Sequence, residues 1–81
     1  MRVEVRLFAQ LRDKTGAGDI PVDVNDGATV ADVWRSLVGS HPALAAFESS
    51  VSCAVNATYA KKHTRVNAGD EVAFLPPVSG G

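Results

Sequence analysis

The sequence has very little of the residue types on which disulfides, metal centres and nucleic-acid contacts depend. Of its 81 residues, one is cysteine and two are histidine, and the formal net charge is −1. A single cysteine cannot form an internal disulfide, which suits a reducing compartment. The histidines lie apart from any cysteine or acidic cluster, so no metal site is predicted. The near-neutral charge provides no electrostatic basis for binding nucleic acid or an anionic membrane.

Long apolar runs and leader segments are also missing. Residues 1–6 alternate charged with apolar residues and do not contain the apolar region of a signal peptide. No apolar run approaches the roughly 20 residues that a membrane helix needs. We therefore expect a soluble cytoplasmic protein of one domain, since 81 residues suffice for a single hydrophobic core.

The body of the chain also lacks the motifs that mark a catalytic centre. No glycine-rich phosphate loop follows a predicted strand, and no serine lies in a nucleophile elbow. Cys53 falls on the apolar face of a predicted strand that has no cation, so it is expected to be a small buried hydrophobe. The one basic cluster is either a solvated loop or a docking patch for an acidic partner. It consists of Lys61, Lys62, His63 and Arg65.

Hydrophobic periodicity predicts a small sheet. Alternation of apolar and polar residues indicates strands at 2–7, 20–24, 51–55 and 71–75, with a weak strand or loop over 59–66. The first two strands are expected to pair as an antiparallel hairpin, and Pro21 favours an edge position for the second. Turns are predicted at 25–27, 56–58 and 67–70. Residues 8–14 and 42–47 are each expected to form a short helical turn.

The main helix is predicted to start after Thr29, which is a suitable N-cap with Asp32 three residues later. Gly39 and Pro42 are expected to end it. Trp34 lies in the middle of the apolar face of this helix and is predicted to be in the core. Five apolar residues recur with the spacing of one helical face, namely Val30, Val33, Trp34, Leu37 and Val38.

Together these elements predict an α+β roll, in which one main helix covers one face of a mixed sheet. Residues 1–75 are predicted to form the domain, and residues 76–81 an extended C-terminal tail. Because only one face of the sheet carries the main helix, the other face must meet solvent or a partner.

The tail, with the sequence Pro-Pro-Val-Ser-Gly-Gly, has a composition unlike that of the body. Its two prolines remove two backbone donors, so neither a helix nor an inner strand can continue through them. Fully extended, six residues reach at most about 20 Å, which lets the tip enter a cleft closed to the body. Glycine is the residue that allows the closest backbone approach, so Gly80 and Gly81 suit a narrow channel.

The chemistry of such a tip lies in the carboxylate of Gly81, which is ionised at neutral pH. A carboxylate is a poor acyl donor, but it can attack the α-phosphate of ATP. The resulting acyl-adenylate is activated toward a sulfur or amine nucleophile. The tail is therefore expected to be an acyl substrate for another enzyme, with no catalytic group of its own in the domain.

Four segments of the chain resemble the MoaD family of small molybdopterin synthase subunits, which belongs to the MoaD/ThiS ubiquitin-like proteins. They are Leu-Phe-Ala-Gln-Leu-Arg at 7–12, Ala-Val-Asn at 54–56, Gly-Asp-Glu-Val-Ala-Phe at 69–74 and Pro-Pro-Val-Ser-Gly-Gly at 76–81. The resemblance spans nearly the whole chain in the right order. It implies a β-grasp, ubiquitin-like fold, in agreement with the roll.

The resemblance also implies a role in molybdenum cofactor biosynthesis. Gly81, preceded by Gly80, would be adenylated by a MoeB-type enzyme that uses ATP, then converted to a thiocarboxylate with sulfur from a sulfurtransferase. The tail would insert into a MoaE-type large subunit of a heterotetramer and give sulfur to a cyclic pterin precursor. The chain itself is implied to bind no cofactor and no metal. The implied partner-binding residues are Phe74, Leu75, Pro76, Pro77, Val78 and Ser79.

Three other functions stay open at this point. Sulfur carriers of thiamine synthesis of the ThiS type share the fold and the Gly-Gly end. Archaeal ubiquitin-like modifiers end very similarly and attach their tail to lysine. A β-grasp binding module with an inert tail is the third possibility.

Overall fold

The computed structural model describes residues 1–77. In these residues, five strands form one sheet in the order β2-β1-β5-β3-β4. β1 and β5 are parallel and the other neighbours antiparallel, which confirms the predicted mixed sheet. The elements in chain order are β1 (Arg2–Leu7), α1 (Ala9–Thr15), β2 (Asp19–Asp23), α2 (Val30–Ser40), a 3₁₀ helix (Pro42–Phe47), β3 (Ser52–Val55), β4 (Thr58–Ala60) and β5 (Glu71–Leu75).

The two faces of the sheet differ in character, and β1 shows this most clearly. Its three apolar side chains are buried on the inner face, toward the helices, and its three charged side chains are exposed on the outer face. On the outer face Arg2 pairs with Asp23 at 3.1 Å, and Arg6 pairs with Asp19 at 3.2 Å. These exposed ion pairs contribute at most about 1 kcal/mol each, so the burial of the inner face stabilises the sheet far more.

Pro21 lies in an edge strand, as predicted, and the hydrogen-bond pattern explains why it is tolerated there. The amide of Val24 donates to the carbonyl of Met1 at 2.8 Å, and the amide of Leu7 donates to the carbonyl of Gly18 at 2.9 Å. Because bonding alternates along an antiparallel pair, the nitrogen of Pro21 faces away from β1. The free edge consequently lacks a donor in its centre, which disfavours pairing with another strand.

The main helix begins and ends where predicted. The hydroxyl of Thr29 accepts from the amide of Asp32 at 3.3 Å, and the Asp32 carboxylate accepts from the amide of Thr29 at 2.9 Å. α2 ends at Ser40, between Gly39 and Pro42, the two residues that were predicted to end it. Gly39 has no left-handed backbone, so nothing at that position interrupts the helix. Pro42 is the actual stop, because it disfavours helical backbone in the residue before it.

The core is closed by an aromatic pair between α2 and β5. Trp34 is 3% exposed, as predicted for a core residue, and its ring lies 4.9 Å from that of Phe74 between centroids. The indole nitrogen of Trp34 donates to the Glu48 carboxylate at 2.9 Å, so its polar atom is satisfied. The remaining large core side chains are aliphatic, namely Val3, Val5, Leu7, Leu11, Val22, Val30, Val33, Leu37, Leu44, Val66 and Val72.

Both short helical turns predicted from the sequence are present. α1 ends at Gly16, whose φ of 77° is the left-handed conformation common after a helix. The 3₁₀ helix buries Leu44 completely and Phe47 partly, and it contacts α1 and α2. These two segments cover the inner face beyond α2, so the helical layer is larger than one helix.

Asn56 joins the β3–β4 turn to the beginning of β5. Its side-chain amide donates to Asp70 at 3.0 Å, and its side-chain oxygen accepts from the amide of Glu71 at 3.0 Å. Asp70 also accepts from the amide of Asn67 at 2.8 Å. The segments at 54–56 and 69–74 that carried the family resemblance therefore hold each other in place.

Replacing Ala57 by glycine is expected to stabilise the protein by about 0.5–1 kcal/mol. Asn56 and Ala57 both have positive φ, 49° and 69°, as a two-residue hairpin turn of type I′ requires. A left-handed alanine costs roughly 1–2 kcal/mol, which outweighs the added chain entropy of glycine. Urea unfolding measures the change. Ala68→Gly is the matched control, since exposed Ala68 has no positive φ and should lose stability. A loss at both positions would contradict the strain argument.

Candidate functional site

The candidate site is the point where the chain leaves the sheet. We define the tail root as Leu75–Pro77. β5 lies in the middle of the sheet, with β1 on one side and β3 on the other. Leu75 and Pro76 are half-buried and Pro77 is exposed. Of the predicted site residues, Val78, Ser79, Gly80 and Gly81 lie outside the described residues, so their predicted extended arrangement stays a prediction.

An exposed apolar surface lies beside the tail root on the outer face of the sheet. Leu7 pairs with Phe74, so Phe8 is the neighbour of Leu75 across the strands. Phe8 is 41% exposed, and the Arg6 guanidinium lies 6.0 Å from its ring centroid. Tyr59 is 81% exposed and faces Ala54 in the β3–β4 pair. We define the outer apolar surface as Phe8, Tyr59, Ala73 and Leu75, which lie around the buried Ala54.

Phe74 has to be reassigned from the predicted partner-binding set to the core. Its side chain is 1% exposed and lies on the inner face against Trp34. Successive strand residues point to opposite faces, so Phe74 and Leu75 cannot both reach a partner. Phe74 anchors β5, and Leu75 is the residue that faces outward beside the tail.

Phe8 and Tyr59 are two exposed aromatics that the sequence interpretation did not select. Among the described residues, these two are the large hydrophobic residues whose side chains are exposed. Phe8 lay within the family-like segment at 7–12, but only the parallel pairing of β1 with β5 brings it to Leu75. Tyr59 lay in a segment with weak periodicity, and its face follows from the register with β3.

Within residues 1–77, the one thiol and the acidic and histidine side chains do not form a second candidate site. Cys53 is buried, its thiol donates to the carbonyl of Ala60 at 3.1 Å, and burial raises the pKa of this thiol. No group of acidic, histidine and cysteine side chains within residues 1–77 could hold a metal ion. None of the described helices is long and apolar enough to cross a membrane.

One member of the basic cluster has a structural role. The Lys62 ammonium donates to the backbone carbonyl of Glu48 at 2.7 Å and lies 3.3 Å from its carboxylate. The hydrogen bond from Trp34, followed by that from Lys62, holds the pKa of Glu48 below its ordinary value. Lys62 thus ties the loop after β4 to the end of the 3₁₀ helix.

Comparison with known proteins finds similarity along nearly the whole chain. Residues 5–81 match the ThiS family. The molybdopterin synthase sulfur carrier subunit of Chlamydomonas reinhardtii is 32% identical, with all of both chains covered. Small archaeal modifier protein 1 of Haloferax volcanii is 38% identical, with 98% of this chain and all of the relative covered.

Solved structures confirm the β-grasp, ubiquitin-like fold. The crystal structure of SAMP1 from Haloferax volcanii has a TM-score of 0.90 at 37% identity, with both chains fully covered. A protein–protein complex of subunits 1 and 2 of molybdopterin-converting factor from Helicobacter pylori contains a chain with a TM-score of 0.70 at 26% identity, again with full coverage.

Proposed function

The chain belongs to the ThiS family, and we propose that it is the sulfur carrier subunit of a molybdopterin synthase. The group that would carry the sulfur is the carboxylate of Gly81, at the end of the tail. The observation that carries the proposal is the position of the tail root at the centre of the sheet, beside the outer apolar surface. A rigid domain with an adjacent docking face suits the delivery of a tail into another protein.

The proposed activation of the tail proceeds in two steps. A carboxylate oxygen of Gly81 attacks the α-phosphorus of ATP, pyrophosphate leaves, and an acyl-adenylate forms. A sulfide-level sulfur nucleophile then attacks the acyl carbon, AMP leaves, and the thiocarboxylate remains. An adenylating enzyme and a sulfurtransferase are expected to supply the catalytic groups for these steps. In the large subunit, the thiocarboxylate sulfur then forms a bond to a cyclic pterin precursor, and water cleaves the acyl–sulfur bond, which leaves the sulfur on the precursor and returns the Gly81 carboxylate.

The tail root has properties that favour this use. Val72 and Phe74 fix β5 in the core on either side of Ala73, so the strand offers a firm base. Pro76 and Pro77 follow at once and restrict the backbone, which lowers the entropy lost when the tail is held. In Gly80 and Gly81 no side chain hinders entry into a channel.

A large-subunit partner is supported by the similar chain in the complex of subunits 1 and 2. We propose that the large subunit binds the outer apolar surface, because exposed aromatic side chains near a functional tail are typical anchors of a protein interface. Leu75, Pro76 and Pro77 would contact this partner directly, and Val78 and Ser79 would line the path of the tail.

Intact mass spectrometry tests the proposed function. The protein is incubated with ATP, an adenylating enzyme of the family, a sulfurtransferase and a sulfur donor. We expect a product whose mass has changed by one sulfur in place of one oxygen, and which supports molybdopterin formation with the large subunit. A protein that stays unmodified under conditions in which a known carrier reacts would rule the proposal out.

A ubiquitin-like modifier is the second candidate, because small archaeal modifier protein 1 is 38% identical to this chain. Both functions share the acyl-adenylate and differ in the nucleophile that follows, which is sulfur for a carrier and a lysine amine for a modifier. Lysine-linked adducts on other proteins would support the modifier. Restored thiamine synthesis, with no molybdopterin formed, would instead indicate a carrier of the thiamine pathway.

Leu75→Asp is expected to weaken binding to the large subunit by at least about tenfold while the domain stays folded. A carboxylate buried in an apolar interface without a partner costs more than 1 kcal/mol. The side chain is only half-buried in the free protein, so folding should survive. Calorimetry measures the affinity, and circular dichroism the fold. Pro21→Asp is the control, since it adds the same charge to the exposed edge strand β2. Equal affinities of both variants would move the interface elsewhere.

A further inference from the structure

The loop after β4 presents cations that the fold itself does not use. Arg2, Arg6 and Arg35 each pair with an acidic side chain, and Lys62 is held by Glu48. The other three members of the basic cluster have no ion-pair partner among residues 1–77. These three, Lys61, His63 and Arg65, are all exposed, and we call them the basic rim.

The backbone that carries the basic rim is held firmly by α2. The amide of Val30 donates to the carbonyl of Thr64 at 2.9 Å, and the amide of Ala31 donates to the carbonyl of Lys62 at 2.9 Å. The Thr64 hydroxyl accepts from the amide of Lys61 at 3.1 Å. The loop therefore satisfies the first donors of α2, and its own conformation is fixed. Cations on a fixed backbone lose less entropy when they meet a partner.

The basic rim starts at the same end of the sheet as the tail. Leu75 pairs with Ser52 of β3, and Cys53 pairs with Ala60 of β4. The next position of that register places Lys61 across from Ser52. With a strand spacing of about 4.8 Å, the backbone of Lys61 lies roughly 10 Å from that of Leu75. Tyr59, two residues earlier, belongs to the outer apolar surface, so this surface borders the basic rim at Lys61, whereas Arg65 pairs with Thr29 at the start of α2.

We propose that the basic rim docks on an acidic protein surface around the entrance of the channel that receives the tail in the large subunit. This inference rests on the proposed function, to which it adds the charge of the partner. Opposite charges beside the entrance would steer the two proteins together before the apolar contacts form. The aromatic Tyr59 and the cation Arg65 belong to the residue types most often found at interface hot spots.

A protein partner fits the rim better than nucleic acid does. Binding to a phosphate backbone depends on many cations acting together, whereas the rim offers two, Lys61 and Arg65, on a chain of net charge −1. Exposed acids on the rest of the surface would repel a long polyanion. An acidic patch of limited size matches the rim without that repulsion.

The test measures association rates with the large subunit from the same organism by stopped flow, at low and at high salt. We expect Lys61→Glu/Arg65→Glu to associate at least about tenfold more slowly than wild type at low salt. The difference should shrink strongly at high salt, because screening removes steering between exposed charges. Each single variant should show a smaller loss of the same kind. Melting curves verify that the variants are folded.

Lys14→Glu is the matched control for each single variant, since it reverses one exposed cation on α1. If Lys61→Glu and Arg65→Glu associate at the same rate as Lys14→Glu at both salt concentrations, the proposed docking role is wrong. Slower association that does not depend on salt would also overturn it. If instead wild type does not bind the large subunit at all, the proposed function fails as well. Binding of a short RNA duplex that the double variant abolishes, with unchanged association to the large subunit, would assign the rim to nucleic acid.

Discussion

Gly80→Val is expected to lose ATP–pyrophosphate exchange with the adenylating enzyme by about 100-fold or more, since a displacement of roughly 1 Å at a reacting centre can have an effect of that size. The branched side chain would widen a segment that has to lie against channel walls, next to the carboxylate that attacks ATP. It would also exclude the positive φ values that glycine adopts freely. Adding one residue beyond Gly81 should act in the same way, because it moves the reacting carbon past the nucleotide.

Stability should hardly change in the same variant. The core of the described residues is complete with Phe74 and contains no residue of the tail root. A substitution outside the core usually changes the free energy of unfolding by no more than about 0.5 kcal/mol. Melting curves and exchange rates on the same samples provide both measurements.

Gly39→Val is the matched control for this prediction. Gly39 is exposed in α2, and a Cβ atom there would meet no atom within 4 Å. The same substitution should therefore leave the exchange rate unchanged. Wild-type exchange by Gly80→Val would contradict the narrow-channel argument, and unfolding of that variant would show that the tail is part of the core.

Trp34→Ala is expected to lower the free energy of unfolding by about 3–5 kcal/mol, as removal of a buried aromatic does. The indole is 3% exposed and stacks at a tilt on Phe74, so the deletion would leave a cavity between α2 and β5. It would also remove the donor to Glu48 and loosen the connection to Lys62. Because small domains are stable by only about 5–15 kcal/mol, much of the folded population could be lost.

Urea unfolding measures this effect, and Trp34→Phe separates its two causes. Phenylalanine keeps most of the apolar volume but cannot donate to Glu48, so it should lose about 1–3 kcal/mol for the charged hydrogen bond and the partly empty space. A loss below about 1 kcal/mol in Trp34→Ala would mean that the indole does not fill the core.

Local signals predicted most of the fold. The alternation of β1 and the Thr29–Asp32 cap each depend on residues close in sequence, and both are present. The end of α2 falls between Gly39 and Pro42, as predicted, because a glycine permits a helix stop without enforcing one, whereas Pro42 enforces it. The strand order could not be read from these patterns, since the parallel pairing of β1 with β5 joins distant segments.

The site was predicted only in part for the same reason. The Gly-Gly tail is a contiguous motif and is visible in the sequence alone. Phe8 and Tyr59 join Leu75 only through the registers of three strand pairs, so no local pattern could have selected them. Phe74 was grouped with Leu75 because the two are adjacent in the motif, although adjacency on a strand separates their side chains onto opposite faces.

The central position of β5 has a consequence for how the chain folds during synthesis. β5 follows every other described element in the chain, yet β1 and β3 meet only through it. Until β5 has been translated, the β1–β2 and β3–β4 hairpins have no common sheet, and their apolar faces stay accessible to chaperones and proteases. The sheet can close only when the first and last strands pair, and pairing of segments so far apart in sequence is slow for a domain of this size. A nascent chain interrupted before β5 should therefore be degraded. A chain that presents its tail, in contrast, contains β5 and can form the complete sheet.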